Sequence, residues 1–479
     1  MANKSAFRRS AKALPRNASK PLPRRAVTLS QCMIVKNEEA NIKAALDWAR
    51  DICIEQIVVD TGSTDRTVEI AESLGAKVLH FDWCDDFAKA KNFAIDAASG
   101  TWISFFDADE TLTPADAAKV IPLIEKAGRD TNYKCAVLNT QIIDLNDKGD
   151  IIITRVIGRL FRNIPDIRYI GRVHEHININ TDMYDIKTTY EITARHTGYS
   201  ESAYADGSKI ERNLKLLRLD LAEKPDDIIV KAYLMESLLV TKKPEDTAEA
   251  IIYAREVAVT PLPYDYEKLR RSAIITLCIE YSGSEETEDD ALYYSKLGYE
   301  LYPECADLVY LRGVFLLLSD ATAEAQKLLN KAEDMLRADT LATESVVLVK
   351  DVFKLFFYQM QCAQKLNDLP RIMHYATLML RQDKYQKGII RPYMHTLLST
   401  GTGVTEVLEL LMKLYGIAPG LPVTQESLRD KLFLIAAAKD ITGNPQAVPE
   451  SSDLLKALRD LISAEDLAYL KGGDNESEI

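Results

Sequence analysis

Two aspartates stand two residues apart, Asp107 and Asp109, directly after the apolar run Trp102-Ile103-Ser104-Phe105-Phe106. Such a run reads as a buried strand, so Asp107-Ala108-Asp109 falls at the strand's exposed end. Two carboxylates placed there can approach one hard divalent cation. That cation can bridge the diphosphate of a nucleotide, offsetting charge that would otherwise repel the carboxylates. The spacing by itself also suits a solvated loop or a helix cap, so its meaning depends on what the fold brings beside it.

The elements that must position the pair follow from periodicity. Residues 29–35 read as a buried strand ending in Lys36-Asn37-Glu38, and Asn37 is expected to cap a helix running to about residue 50, with Glu38 and Glu39 in its first turn. Residues 57–60 are a second strand, ending in Asp60-Thr61-Gly62-Ser63; Ser63 or Thr64 is expected to cap a helix with Val68, Ala71 and Leu74 on its apolar face. A strand at 76–81, a helix at 87–98 and the strand at 102–106 complete a β-α-β-α-β-α-β order. This predicts an α/β domain, a parallel sheet with helices on both faces. In such sheets a ligand lies beyond the carboxyl ends of the strands, where the polar clusters fall. Stretches 135–143, 151–161, 173–179 and 188–194 are β-rich and predict a smaller mixed extension that completes the pocket.

After about Glu211 the chain reads as helix after helix. Lys224-Pro225-Asp226-Asp227, Pro263-Tyr264-Asp265-Tyr266-Glu267 and Tyr302-Pro303-Glu304 each break one helix before the next begins. A helical hairpin of about 34 residues with small insertions gives this spacing, which predicts tandem pairs stacked as a solenoid, with a plain helical bundle as the alternative. Residues 306–336 resemble a tetratricopeptide repeat, with Tyr310-Leu311-Arg312-Gly313 in one helix and Ala325, Leu329 and Ala332 in the next. The expected division is therefore a basic disordered tail at 1–27, a catalytic domain at 28–210 and a helical-repeat domain at 211–470, with a polar tail from Gly472 on.

Four blocks carry a resemblance. They are Met33-Ile34-Val35-Lys36-Asn37-Glu38-Glu39, Ile57-Val58-Val59-Asp60-Thr61-Gly62-Ser63-Thr64-Asp65-Arg66-Thr67, Asp85-Asp86-Phe87-Ala88-Lys89-Ala90-Lys91-Asn92 and Trp102-Ile103-Ser104-Phe105-Phe106-Asp107-Ala108-Asp109-Glu110. In order and spacing they resemble family 2 glycosyltransferases of the GT-A fold, a Rossmann-like domain that binds nucleotide-sugars. Gly171-Arg172-Val173-His174-Glu175 and His196-Thr197-Gly198-Tyr199 resemble a branch of that family with C-terminal helical repeats, some members of which glycosylate peptides or proteins.

The resemblance implies roles. Asp60 would accept a hydrogen bond from the pyrimidine of a UDP-sugar, and Lys36 and Glu38 would flank its base or ribose. Lys91 stands where many relatives carry Arg; it would face the nucleotide without the bidentate fork of a guanidinium. Asn92 is open to a structural reading. Asp109 would ligate the metal directly, with Asp107 on the ribose or on a metal-bound water. His196 would close the metal shell, and Mn²⁺ or Mg²⁺ fits carboxylate, phosphate and one imidazole. One carboxylate base suffices for an inverting displacement. Glu175 is the candidate, with His174 as an orienting or acceptor-contacting neighbour and Glu110 as a second candidate. Arg172 would offset phosphate charge, and His174 with His176 could alternate on a strand face as a metal pair.

The implied reaction moves a hexose or N-acetylhexosamine from a UDP-sugar to an acceptor: a protein or peptide side chain, or else a glycan or lipid-linked group. The alternative class is a nucleotide-binding scaffold without turnover. An oxidoreductase of the dinucleotide-binding type is excluded, because Val35-Lys36-Asn37-Glu38 stands where its glycine fingerprint would be. The repeats suggest a homodimer interface or an acceptor surface. The chain of 479 residues has a net charge of −13 although its first 25 residues are wholly basic among their charged positions, which argues against nucleic acid as a main partner. No apolar run is long enough to span a membrane. Seven scattered cysteines without a CxxC pair suggest a reduced, cytoplasmic setting.

Overall fold

The computed structural model describes residues 26–131, 134–197, 208–263, 266–282, 285–338, 347–350, 352–418, 420–444 and 447–472. The basic tail 1–25, Gly198-Tyr199 of the histidine block, Tyr264-Asp265 of the middle helix breaker and residues 473–479 lie outside the described residues. The chain forms two compact units, 1–250 and 251–479.

In the first unit the strands are β1 (Leu29–Val35), β2 (Glu55–Asp60), β3 (Lys77–His80), β4 (Trp102–Phe105), β5 (Glu110–Leu112), β6 (Cys135–Leu145), β7 (Ile151–Arg162), β8 (Arg168–Ile170), β9 (His176–Asn178) and β10 (Asp185–His196). One eight-stranded sheet runs in the order β3-β2-β1-β4-β7-β6-β10-β5, and β8 and β9 pair separately. β3, β2, β1 and β4 are mutually parallel. β1 lies between β2 and β4, so the direction of strand progression reverses there and a crevice opens beyond the carboxyl ends of β1 and β4. Lys36 leaves the sheet at one lip of that crevice and Asp107 near the other.

Alternation along β1 explains both helical layers. Met33 and Val35 point to the face covered by helices α1 (Ile42–Asp47) and α2 (Thr67–Ser73), packing with Leu46 and Ala71. Cys32 points to the other face, with Ala94 and Ile95 of α3 (Phe87–Asp96) and with Phe105. α4 (Pro114–Ala117) and α5 (Val120–Asp130) close a third apolar cluster around Trp102 and Phe106. The GT-A-type architecture expected from the sequence is present.

Three details differ from the expectation. The mixed part is no separate extension: β7 pairs antiparallel with β4, and β6, β10 and β5 continue the same sheet. Asn37 does not cap a helix. It has φ +57°, its side-chain oxygen accepts the Thr64 N–H at 2.8 Å, and α1 begins only at Ile42. Ser63 and Thr64 likewise stand outside α2, whose first residue, Thr67, donates its N–H to Asp65 at 3.0 Å. Short polar side chains here fasten one loop to the next instead of ending a helix, which the local pattern cannot distinguish.

Every described element after β10 is helical. α6 (Ser208–Glu223) and α7 (Ile228–Thr241) belong to the first unit, with Lys224-Pro225-Asp226-Asp227 between them and the Asp227 carboxylate capping α7. In the second unit, helices Ala306–Leu318 and Thr322–Arg337 form the repeat-like pair. A Cβ on Gly313 would lie 2.9 Å from Leu329, so the glycine permits this close helix contact.

Candidate active site

A cavity of about 440 Å³ opens at the crevice between β1 and β4. Lys36 and Glu38 line it from the β1 side, Asp107, Asp109 and Glu110 from the β4 side, and Thr61 from the end of β2. Lys91, His174, Glu175 and His196 line it as well. Lys36, Glu38, Lys91, Asp107, Asp109, Glu110, His174, Glu175 and His196, all expected in the site, therefore border one space, whereas Asp60, Arg172 and His176 do not.

Asp107 is held by two cations. Arg159 Nη2, from β7, donates to Asp107 Oδ2 at 2.7 Å, and Lys91 Nζ lies 3.4 Å from Oδ1. Burial works to raise the Asp107 pKa, but Arg159 and then Lys91 outweigh it and hold the carboxyl well below the usual carboxylate range. Arg159 also pairs with Glu110, whose other oxygen accepts the Asp107 N–H at 3.1 Å. Glu110 is 1 % exposed, and its pKa is raised mainly by burial, with Arg159 opposing and Asp107 adding to the rise. The turn 107–110 is thus cross-linked from β7, with one Glu110 oxygen on Arg159 and the other on the Asp107 N–H.

Asp109 points elsewhere. Its Oδ2 lies 3.2 Å from His196 Nε2, and His196 Nδ1 lies 2.7 Å from Oδ1 of the fully buried Asp144. Sheet register makes this line: His196 at the end of β10 sits opposite Glu110 in β5 and opposite Asp144 in β6. Burial works to lower the His196 pKa, while Asp109 and Asp144 together carry it above the ordinary histidine value. A histidine with one nitrogen fixed by a buried carboxylate can present its other nitrogen to a cation at the cavity wall. The three expected metal ligands are not gathered as a set. Asp109 and His196 meet, but Asp107 is turned to Arg159 and Lys91. Among the described residues no group of three or more His, Cys, Asp or Glu is spaced to hold a metal. Two protein ligands with phosphate and water oxygens completing the shell still suit Mg²⁺ or Mn²⁺.

On the β1 side of the cavity, Glu38 has a raised pKa, first from burial and also from Asp109 and Asp107, against the Asn41 hydrogen bond and Lys209. The β1 and β2 loops are knitted by Asn37 N–H to Ser63 and Glu38 N–H to Thr67. Asp60 is 5 % exposed and closes its own turn, accepting the Gly62 and Ser63 N–H groups at 3.2 and 3.0 Å, with His80 at 3.5 Å. Those hydrogen bonds, against the effect of burial, lower its pKa. It does not line the cavity; the next residue, Thr61, does.

Lys91 bridges two carboxylates, Glu175 at 2.7 Å and Asp107 at 3.4 Å, with the Phe105 and Tyr169 rings about its ammonium at 5.2 and 5.0 Å. Asn92 is structural: it donates to the Tyr169 carbonyl and accepts the Tyr169 N–H, both at 2.9 Å, fastening β8 to α3. Asn92→Ala is expected to cost about 1–3 kcal/mol of stability while leaving nucleotide affinity unchanged. Denaturant unfolding beside a UDP titration checks this, and a lost affinity at unaltered stability would contradict it.

His174 is not on a strand. It occupies a left-handed turn at φ +52° before β9, so it does not alternate with His176, and its ring stacks on Tyr233 at 4.1 Å between centroids. Arg172 does not line the cavity; it binds Asp220 and Glu223 of α6. Sequence reasoning missed Arg159, Asp144 and Arg155, and also Lys209, Arg212 and Asn213 of α6, which line the cavity. Arg159 left one legible trace, a charge inside the apolar run of β7; α6 looked like the first repeat helix.

Residues 30–171 match the model of glycosyl transferase family 2, so this part of the chain is a domain of that family. A TPR repeat-containing protein of Synechococcus elongatus is 36% identical over 217 residues, 44% of this chain; the chain spans about half, 51%, of that relative's length. The SPbeta prophage-derived glycosyltransferase SunS of Bacillus subtilis is 27% identical over 330 residues, 68% of this chain and 75% of SunS. The crystal structure of glucosyl-3-phosphoglycerate synthase from Mycobacterium tuberculosis with Mn²⁺ and UDP is 25% identical over 24% of this chain and 44% of that one, at a TM-score of 0.21.

Proposed function

From a family 2 glycosyl transferase domain at residues 30–171, we propose that the chain transfers a hexose or N-acetylhexosamine from a UDP-sugar, with inversion and with a divalent cation, to a protein or peptide side chain. The observation that carries this reading is the convergence of Lys36, Glu38, Asp107, Asp109, Glu175 and His196 on one cavity at the strand switch point.

Asp109 and His196 would hold Mn²⁺ or Mg²⁺, with Asp144 fixing the imidazole. When bound, the cation supplies Lewis-acid neutralisation of the leaving diphosphate. Asp107 keeps the turn in register through Arg159 and Lys91 and offers its exposed edge to the ribose. Lys36 and Glu38 flank the base or ribose, and Asp60 sets the β2 turn from which Thr61 reaches the wall. Glu175, joined to Asp107 through Lys91, takes the proton from the acceptor hydroxyl as the anomeric carbon is attacked. Its neighbour His174 is held to one side by Tyr233, which favours an orienting part over proton transfer. Repeat helices of the second unit supply the kind of extended surface that suits a peptide acceptor or a second copy of the chain.

A panel of UDP-sugars incubated with the protein and Mn²⁺, followed by UDP release, tests the reading. Release from a UDP-hexose or UDP-N-acetylhexosamine, suppressed by EDTA, is expected. No release from any donor, or release indifferent to EDTA, would contradict it.

A further inference from the structure

The loop 171–175, which carries Glu175, cannot hold its shape by itself. Gly171 and His174 both sit at positive φ, +97° and +52°. A left-handed histidine persists only where its surroundings over-determine it. The surroundings come from two sides. On one, the Arg172 carbonyl accepts the Phe87 N–H at 2.9 Å, and Arg172 Nη1 donates to the Asp85 carbonyl at 3.2 Å. On the other, the Arg172 N–H donates to Asp220 Oδ2 at 3.3 Å, Nε lies 3.2 Å from Asp220 Oδ1, and Nη2 reaches Glu223. The His174 ring lies parallel to Tyr233 of α7, 8° between planes. Lys215 of α6 pins the helix back to Asp85 at 2.7 Å.

We propose that α6 and α7, though they begin the helical region, are part of the catalytic machinery: Asp220 and Tyr233 are positioning residues that brace the loop and aim Glu175 into the cavity. This rests on Glu175 being the proton acceptor. The arrangement follows from chemistry at each contact. Asp220 accepts the Arg172 backbone N–H and lies in ion-pair contact with the same residue's guanidinium, so main chain and side chain of the loop are both held from α6. The Tyr233 ring lies flat on the His174 ring, 4.1 Å between centroids, and so restrains the ring's plane. Glu175, next in the chain, then has a single approach to Lys91, at 2.7 Å. Lys209, Arg212 and Asn213 of the same α6 line the cavity, so the helix that braces the loop also walls the site.

The test uses the full chain with Tyr233→Ala and Tyr233→Phe. Two quantities are read: hydrogen exchange of the peptide containing 171–175, and kcat and KM for UDP release with Mn²⁺. For Tyr233→Ala, exchange of the loop amides is expected to rise roughly tenfold, and kcat to fall roughly tenfold or more with donor KM within about twofold. Tyr233→Phe keeps the stack and is expected to restore both. Unchanged loop exchange in Tyr233→Ala overturns the brace even if the wild type turns over well. Faster exchange confirms the brace even if the wild type releases UDP from no donor, in which case the functional reading and the aiming of Glu175 fail and the brace alone stands. Faster exchange with kcat unaltered, in an enzyme that turns over, overturns the aiming of Glu175.

Discussion

Asp109→Ala is expected to lower UDP release by about a thousandfold, roughly the loss of one preorganised charge-stabilising group at a reacting centre, while the protein stays folded. The reasons lie in what Asp109 touches. Its side-chain contact is His196, at the cavity wall, and its carboxylate is 24 % exposed, so removing it leaves no buried charge alone. His196 keeps Asp144 on its other nitrogen at 2.7 Å. What disappears is the cavity-side half of the cation site. A melting temperature near wild type with turnover lost is the expected pair of results, read by thermal unfolding and by UDP release with Mn²⁺. Turnover within tenfold of wild type would remove Asp109 from the metal.

Arg159→Met should do the reverse, damaging the fold before the chemistry is considered. Arg159 is 7 % exposed and pairs with Asp107 at 2.7 Å and with Glu110. Both partners work to raise its pKa against burial, as expected of a cation between two carboxylates. Methionine keeps much of the side chain's length but leaves Glu110, 1 % exposed, without its counter-charge. Breaking a buried pair from one side costs about 3–5 kcal/mol, which for a unit of this size lowers the melting temperature by roughly 10 °C. Thermal unfolding of the variant checks this. A melting temperature within about 2 °C of wild type would show that the pair is better solvated than its geometry implies. Double replacement of Arg159 and Glu110 by apolar residues of similar volume should recover part of the loss, because the buried Glu110 charge is then gone and Asp107 keeps Lys91 as its counter-charge.

How far the sequence carried the site depends on the range of the contacts involved. β1 is found at Leu29–Val35, as the apolar run predicts, and Lys36 and Asp107 emerge at strand tips because a buried parallel strand must hand its polar residues to the loop that follows. Contacts made by sheet register were out of reach. Arg159 meets Asp107 because β7 pairs antiparallel with β4, Leu160 opposite Ser104. His196 meets Asp109 because β10 lies between β6 and β5. No local period records either pairing. The same limit explains the misplaced helix starts: Asn37 and Ser63 have the composition of caps, yet they bond each other's loops across 26 residues of chain. His174 was misplaced on a strand because Val173, Ile177 and Ile179 alternate convincingly, whereas the turn at 171–174 depends on Arg172 finding Asp220 in α6 and on His174 finding Tyr233 in α7. That change of periodicity near Glu211 marks a change of secondary structure, and the first compact unit continues past it to residue 250.

The central claim is that Asp109 and His196 hold a cation that in turn holds a nucleotide diphosphate. Calorimetric titration of UDP into the wild-type protein, with Mn²⁺ and then with EDTA, tests it without any knowledge of sugar or acceptor. Binding in Mn²⁺ that weakens at least about tenfold (~1.4 kcal/mol) in EDTA, and in Asp109→Ala even with Mn²⁺ present, is the predicted result. UDP binding of equal strength in all three titrations would contradict it.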